Sequence, residues 1–181
     1  MKRTLLYIAI TLLLTAANAQ ESTQVKLYCD KSESSISYSM NHPLHSWTGV
    51  SKEVSSVILA DEKRDNITQV AVSVKISSFD SKNANRDSHT MEVTEGLLYP
   101  NISFSSTSII QNGDKLEVTG ILKFHNVSQT ISFEATKEII KAKAKITGEF
   151  KVKMTQFNID PPSLMGMSTK DEFEISFTLV Y

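Results

Sequence analysis

The stretch LEVTGILKF, residues 116–124, carries an apolar or small residue at every second position. Successive side chains of a strand point to opposite faces of a sheet, so this spacing predicts a β-strand with one apolar face. That face consists of Leu116, Val118, Gly120, Leu122 and Phe124. The segment is therefore expected to lie between a dry interior and water.

The same alternation recurs along the chain after residue 34. The other apolar faces are Ile36, Tyr38 and Met40; Val70, Val72, Val74 and Ile76; Ile102 and Phe104; Ile131, Phe133 and Ala135; Ala142, Ala144, Ile146, Gly148, Phe150, Val152 and Met154; and Phe173, Ile175, Phe177, Leu179 and Tyr181. One-sided strands joined by turn signals such as QNGDK, residues 111–115, are typical of an antiparallel sheet. A closed barrel would remove the exposed edges of this sheet, and a sandwich is the competing arrangement.

The predicted inner face mixes large aromatic residues with small ones. A barrel of about eight strands either fills its interior with side chains or leaves room for one small ligand. The small residues Gly120, Ala135, Ala142, Ala144 and Gly148 would leave room. In the alternative, they fit the taper of a fully packed core, and the pattern does not decide between the two.

The first nineteen residues, MKRTLLYIAITLLLTAANA, combine two basic residues, an apolar core and a small-x-small ending at Ala17 and Ala19. These features predict a signal peptide, residues 1–19, cleaved before Gln20, and thus an exported, periplasmic or secreted protein. The apolar run is too short and too interrupted for a membrane span. One domain, residues 20–181, is expected to follow, and its single Cys29 argues against a disulfide scaffold.

Charge makes nucleic acid an unexpected partner. Loss of Lys2 and Arg3 with the leader changes the formal charge from −1 to −3, since two positive charges are removed. The densest basic segment, KAKAKITGEFKVK, alternates strictly, so its lysines are expected on the solvated face of a strand. No run of Lys and Arg is dense enough to follow a phosphate backbone.

A helix is plausible only in RDSHTMEVTEG, residues 86–96. Ser88 or Asp87 can cap its first turn, and Gly96 can end it. The segment passes from one strand to the next, so it is expected at a barrel mouth, where a ligand headgroup would lie.

Four stretches in order resemble the YceI-like family. They are NRDSH at 85–89, YPNISF at 99–104, VTGILKFHNVSQTISF at 118–133 and FNIDPPSLMGMSTKDEFEISFTL at 157–179. The resemblance runs from about Ser34 to Tyr181. Two segments depart from the family pattern: TEGLLYP replaces a Phe-Phe-Asp-like step, and MNHPLHSWTG carries two histidines and a tryptophan.

The resemblance implies an all-β, single antiparallel eight-stranded lipocalin-like barrel, with a short helix at 85–97 near the mouth. Members of that family are periplasmic and bind polyisoprenoids or other long amphiphiles in an apolar tunnel. The function expected here is an exported, non-catalytic carrier without a cofactor. The residues expected to line its cavity are Tyr38, Val72, Val74, Ile76, Phe104, Val118, Leu122, Phe133, Phe150, Phe157, Phe173, Ile175 and Phe177.

Arg86 and His89 are the headgroup candidates, because a guanidinium fork and a protonated imidazole both bind phosphate or carboxylate oxygens. In the alternative interpretation Arg86 pairs with Asp87, Asp87 caps the helix and His89 packs against the barrel wall. The segment PPSLMGM, residues 161–167, offers pliable Met side chains for a lining or lid, or else for a plug at the barrel bottom.

Two other functions remain open. One is a stress-associated interaction module with a packed barrel, and the other is a metal-dependent enzyme using His42, His45 or His89. No carboxylate or Cys completes a metal set at a recognisable spacing, and no Gly-x-Ser-x-Gly elbow is present, so neither a metal nor catalytic residues are expected. Pairing into a homodimer also stays open.

Overall fold

The computed structural model describes residues 23–181. They form twelve strands, one α-helix and two short 3-10 helices, at Ile76–Ser78 and Met154–Phe157. The bounds are β1 Gln24–Tyr28, β2 Ser35–His42, β3 His45–Ser51, β4 Ser55–Asp61, β5 Ile67–Lys75, α1 Ala84–Val93, β6 Asn101–Asn112, β7 Lys115–Phe124, β8 Val127–Ile140, β9 Lys143–Lys153, β10 Ser163–Leu164, β11 Met167–Ser168 and β12 Glu172–Val180. The predicted signal peptide lies outside the described residues.

Ten of these strands form one curled antiparallel sheet in the order β1-β4-β5-β6-β7-β8-β9-β12-β2-β3, while β10 pairs with β11. The all-β class with one helix is confirmed, but the closed eight-stranded barrel is wrong. The sheet has ten strands, and within residues 23–181 no ladder joins its edge strands β1 and β3. Alternation could not have corrected the count at β4, because the consecutive apolar residues Val57–Ala60 show no alternation by which to recognise a strand.

A few hydrogen bonds span the gap where no ladder of the described residues joins the two sides of the sheet. Val50 on β3 and Asp80 after β5 exchange two backbone hydrogen bonds of 3.0 Å each. The connection between β1 and β2, residues 29–34, bridges β4 and β12, because Cys29 N–H donates to Ser56 O at 3.0 Å and Asp30 N–H donates to Val180 O at 2.7 Å. The sheet is thus drawn into a half-barrel around one interior.

The two ends of the half-barrel differ in their connections. One end, which we call the helix end, carries the β2–β3 turn, the β7–β8 turn and two long crossings, residues 76–100 with α1 and residues 154–171 with β10 and β11. The other, the closed end, carries the short turns after β4, β6 and β8. Ala142 lies in one of these turns with φ 64° and is exposed, so its predicted place on the inner face is wrong.

The closed end is sealed by a lysine on the inward side of β8. Lys137 is 4% exposed, and its Nζ donates to the backbone oxygens of Asp65 at 2.5 Å and Arg64 at 3.4 Å. These bonds satisfy the buried ammonium group and fasten the turn after β4 beneath the sheet. The interior is therefore closed at this end, which leaves the helix end as the side of access.

Candidate ligand-binding cavity

The interior of the half-barrel encloses a cavity of about 510 Å³ with a largely apolar lining. This volume falls in the range of small-molecule binding sites. Twelve of the thirteen predicted cavity residues border it: Tyr38, Val72, Val74, Ile76, Phe104, Val118, Leu122, Phe133, Phe150, Phe173, Ile175 and Phe177. Eleven of them come together because the alternation of β2, β5–β9 and β12 turns them to one side of the sheet, and Ile76 follows β5 in the first 3-10 helix.

Phe157 is the predicted residue that does not border the cavity. It lies in the 3-10 helix after β9, where the period of two has ended, and its side chain is completely buried. Its ring packs on Phe124 at a centroid distance of 5.5 Å. Phe157 is thus part of the packing beside the β7–β8 turn.

Several inward aromatic residues stay partly exposed, including Phe133, Phe150, Phe173 and Phe177. Phe133 stacks on Phe150 at 4.8 Å and meets Phe177 edge-on at 5.8 Å, so the rings contact each other along the wall. Rings that face inward and remain accessible are the mark of an interior that side chains do not fill. The geometry therefore favours an open interior over a packed one.

The two glycines on the inner face do not create the open volume of the cavity. A Cβ on Gly148 would lie 2.7 Å from the Phe177 ring, and one on Gly120 would overlap the Phe104 ring. Ala135 and Ala144 are 4% and 0% exposed. Aromatic side chains from neighbouring strands thus occupy the space over the glycines, so the expectation that small residues leave room is wrong for Gly120 and Gly148, whereas Ala135 borders the cavity.

Helix α1 lies at the helix end and begins earlier than predicted. Asn83, rather than Ser88 or Asp87, is the N-cap, and its Oδ1 accepts from Arg86 N–H at 3.1 Å. The helix ends at Val93, because Glu95 adopts a left-handed conformation with φ 47° and Gly96 N–H donates back to Met91 O at 2.7 Å. The predicted range 85–97 is therefore shifted and too long.

Arg86 and His89 both border the cavity at this end. The guanidinium of Arg86 lies over the Trp47 ring, 5.1 Å from its centroid, and Nη1 donates weakly to Ser81 O at 3.4 Å. Asp87 accepts from Ser81 N–H at 3.0 Å, and no Arg86–Asp87 ion pair forms in the part of the chain described. His89 is 56% exposed and contacts Glu92 at 3.3 Å, so it does not pack against the wall.

His42 and His45 stack in series with Trp47, with centroid distances of 5.3 and 5.2 Å. His42 Nδ1 accepts from Leu44 N–H at 3.2 Å and Nε2 faces Met167 O at 3.0 Å, so Nε2 carries the proton. Both ring nitrogens are thus engaged within the protein. Across residues 23–181, no three His, Cys, Asp or Glu side chains converge as a metal site.

The segment with the two prolines lies at the mouth. Pro162, Ser163 and Leu164 border the cavity, whereas Met165 is 83% exposed at the tip of the β10–β11 hairpin. His42 Nε2–H binds this hairpin through Met167 O. Its position at the helix end agrees with a lining or rim and not with a plug at the closed end.

At the opposite end the cavity is bounded by Ile67, Leu116, Leu179 and Tyr181, all nearly fully buried. Ser56 Oγ–H donates to Ala71 O at 3.0 Å, so in the 2.5 Å contact between the two hydroxyls Tyr181 is the donor. Burial raises the pKa of the Tyr181 phenol far above its usual range. The phenol therefore stays protonated and can donate.

A family model described as a YceI-like domain matches residues 28–181. The chain belongs to the YceI-like family. Protein YceI of Escherichia coli O157:H7 is 28% identical over 169 residues, which cover 88% of each chain. Protein YceI of Salmonella newport is 27% identical with the same coverage. The family assignment made from the sequence is thus confirmed.

Solved structures share the fold of this YceI-like chain. BcnA of Burkholderia cenocepacia superposes with a TM-score of 0.75 at 22% identity, over 84% of this chain and 99% of BcnA. A polyisoprenoid binding domain from Saccharophagus degradans superposes with a TM-score of 0.69 at 12% identity, over 85% and 97% of the two chains. At these identities the likeness concerns the fold alone.

His125 is a well-placed residue that was not singled out from the YceI-like sequence. Its Nδ1 lies 2.9 Å from Phe157 O and its Nε2 lies 2.7 Å from Glu95 Oε2, while Tyr99 meets its ring edge-on. It joins the β7–β8 turn to the segment after α1 and to the second 3-10 helix. No local signal could have revealed it, because both partners are distant in sequence.

Proposed function

We propose that this YceI-like chain is a non-catalytic carrier that holds a long apolar or amphiphilic molecule, of polyisoprenoid or fatty-acyl type, in the half-barrel. The observation that carries the proposal is the apolar cavity of about 510 Å³ lined by partly exposed inward aromatic rings. Membership of the family supports it, as does the structural neighbour that is described as a polyisoprenoid binding domain. The predicted leader makes export to the periplasm or the medium part of the same proposal.

Burial of a chain is enough to give affinity without many specific contacts. Each methylene moved from water to an apolar surrounding contributes about 0.8 kcal/mol. The lining is built from Val, Ile, Leu and Phe side chains, which accept a flexible chain in many arrangements. Such a site selects for apolar length and volume more than for chemical detail.

The polar end of the ligand is proposed to lie at the helix end. Arg86 and His89 border the cavity there, and Arg86 supplies a positive charge with hydrogen-bond donors. Within residues 23–181, the buried atoms that lack a hydrogen-bond partner include Trp47 Nε1 and Thr169 Oγ1, and both residues border the cavity at that end. Unpaired buried donors are costly, so an oxygen-bearing headgroup that approaches this end would gain from pairing with them.

Filling the cavity tests the function. Val72 is half-buried and borders the cavity, whereas Gln69 on the same strand is exposed on the outer face. Val72→Trp should lower the uptake of palmitic acid and geranylgeraniol, measured by native mass spectrometry, by more than about tenfold, since the indole displaces several methylenes. Gln69→Trp should leave uptake unchanged. A folded Val72→Trp protein that binds both probes as the wild type does would contradict the carrier function.

A further inference from the structure

We infer that Tyr181 sets the greatest length of apolar chain that the cavity accepts. This inference rests on the proposed carrier function and concerns the end of the cavity opposite to α1. No sequence pattern pointed to such a role, because Tyr181 reads simply as the last inward residue after β12.

The Tyr181 side chain is held across the interior at both of its ends. Its backbone N–H and C=O pair with Ala144 on β9 at 2.8 and 2.9 Å. Its hydroxyl donates to Ser56 on β4, which in turn donates to Ala71 on β5. The ring therefore spans from the β9–β12 side of the half-barrel to the β4–β5 side.

The ring separates open space from packed space. Tyr181 and Leu179 border the cavity, but no residue of β4 does. On the two strands to which Tyr181 is bonded, Ile58, Ala60 and Ala144 are each 0% exposed, and Ser56 is 6% exposed. A ligand tail that enters from the helix end thus meets a fixed aromatic surface and not a side chain that can swing aside.

The bond between the Tyr181 and Ser56 hydroxyls explains why the ring would limit the length of the bound apolar chain. A buried tyrosine without a partner would lose the solvation of its hydroxyl, so the bond to Ser56 defines one favourable position for the ring. Moving it to admit a longer chain would break this bond in an apolar surrounding. Chains that reach Tyr181 should therefore gain no further affinity from added carbons.

Affinity measured against chain length tests the inference. For the wild type, saturated fatty acids from decanoic to lignoceric acid should bind about fourfold more tightly per added methylene, until the chain reaches Tyr181 and the affinity levels off. In Tyr181→Ala the levelling should move to longer acids. In Tyr181→Phe, which keeps the ring but loses the bond to Ser56, the levelling should move by less than in Tyr181→Ala.

Phe173→Ala is the matched control, because Phe173 lies on the same face of β12 at the helix end and also borders the cavity. It should change the affinity for all acids without moving the length at which affinity levels off. If Tyr181→Ala does not fold, Tyr181→Leu shortens the side chain while keeping an apolar surface and should show the same shift in smaller measure.

The fluorescence of Trp47, the single tryptophan, reports the orientation of the chain in the wild type. A fatty acid brominated beside its carboxyl group should quench Trp47 more strongly than one brominated at its methyl end. Equal quenching, or an unchanged levelling length in folded Tyr181→Ala and Tyr181→Leu, would overturn the role of Tyr181 while leaving the carrier function intact. Absence of binding of every acid by the wild type would overturn both.

Discussion

Strands β4 and β12 both turn one face to the interior, yet these faces meet different surroundings. On β4, Ile58 and Ala60 are 0% exposed and border no cavity. On β12, Phe173, Ile175 and Phe177 are only partly buried and all border the cavity. The same direction of side chains is thus compatible with a packed interior and with an open one.

The difference follows from what lies across from each strand. The connection 29–34 and the Tyr181 ring close over β4, with Cys29 N–H bonded to Ser56 O and Tyr181 bonded to Ser56 Oγ. Inward residues of β5–β7 border the same cavity as those of β12. The packed side thus borders no cavity at β4, whereas the inner face of β12 borders the cavity over Phe173, Ile175 and Phe177.

Truncation of one isoleucine on each side should give the largest effect. Ile58→Ala should lower the free energy of unfolding by about 3 to 5 kcal/mol, because a fully buried side chain leaves a void. Ile175→Ala removes the same atoms from a side chain already next to open space, so the loss should be about 1 to 2 kcal/mol. Urea unfolding of both variants without ligand measures the two values.

The stability of the variants in the presence of a ligand provides a second test of this comparison. Added palmitic acid should stabilise the wild type and Ile58→Ala by similar amounts, since Ile58 does not border the cavity. Equal losses of stability for the two variants without ligand would mean that the interior at Ile175 is as tightly packed as that at Ile58.

A smaller effect on stability is expected at Gly49, which lies against an aromatic ring on the open side. Gly49 lies opposite Tyr38, and a Cβ there would lie 2.7 Å from Tyr38 Cζ and 2.9 Å from its hydroxyl oxygen. Gly49→Ala should therefore push the ring into the cavity and lower stability by about 1 to 3 kcal/mol. Thermal unfolding and the uptake of palmitic acid should both decrease.

The Tyr38→Leu background provides the control for this substitution. With the ring absent, Gly49→Ala should cost only a small fraction of its value in the wild type, so a double-mutant cycle should show strong coupling. Additive effects would show that the backbone around Gly49, and not the Tyr38 ring, resists the added methyl group.

The sequence predicted the direction of side chains far better than the filling of the interior. Period-two alternation identified the inner faces of β5 to β9 and β12, and hence most of the residues that border the cavity. It missed β4, whose Val57–Ala60 run does not alternate. It also could not show that rings cover Gly120 and Gly148, because that depends on the register between strands.

The polar contacts of the helix end were the least predictable. The N-cap of α1 is Asn83 and not the predicted Ser88 or Asp87. Asp87 instead accepts a hydrogen bond from Ser81 N–H. His125 joins residues 95 and 157, two positions that only the folded chain brings together. Side-chain partners of this kind are set by tertiary structure and leave no trace in periodicity.

The smallest effect is expected on the packed side, at the connection that covers β4. Hydrogen bonds from the Ser32 side chain, from Lys143 and from Ser32 N–H lower the pKa of Asp30 from 3.8 to about 2. A carboxyl group with a lowered pKa in the folded state stabilises that state above pH 3.8, and the contribution is lost as the pH falls toward 2. Asp30→Asn should remove this part of the acid sensitivity and slightly lower stability at neutral pH.

Unfolding measured between about pH 5 and pH 2 distinguishes the two proteins. The wild type should lose stability more steeply than Asp30→Asn below pH 4, and the curves should converge near pH 2. Ser32→Ala, which removes the hydroxyl that donates to Asp30 but keeps Lys143 at 2.9 Å from Asp30, should fall between them. Parallel curves would show that the pKa of Asp30 is the same in the folded chain as in the unfolded one.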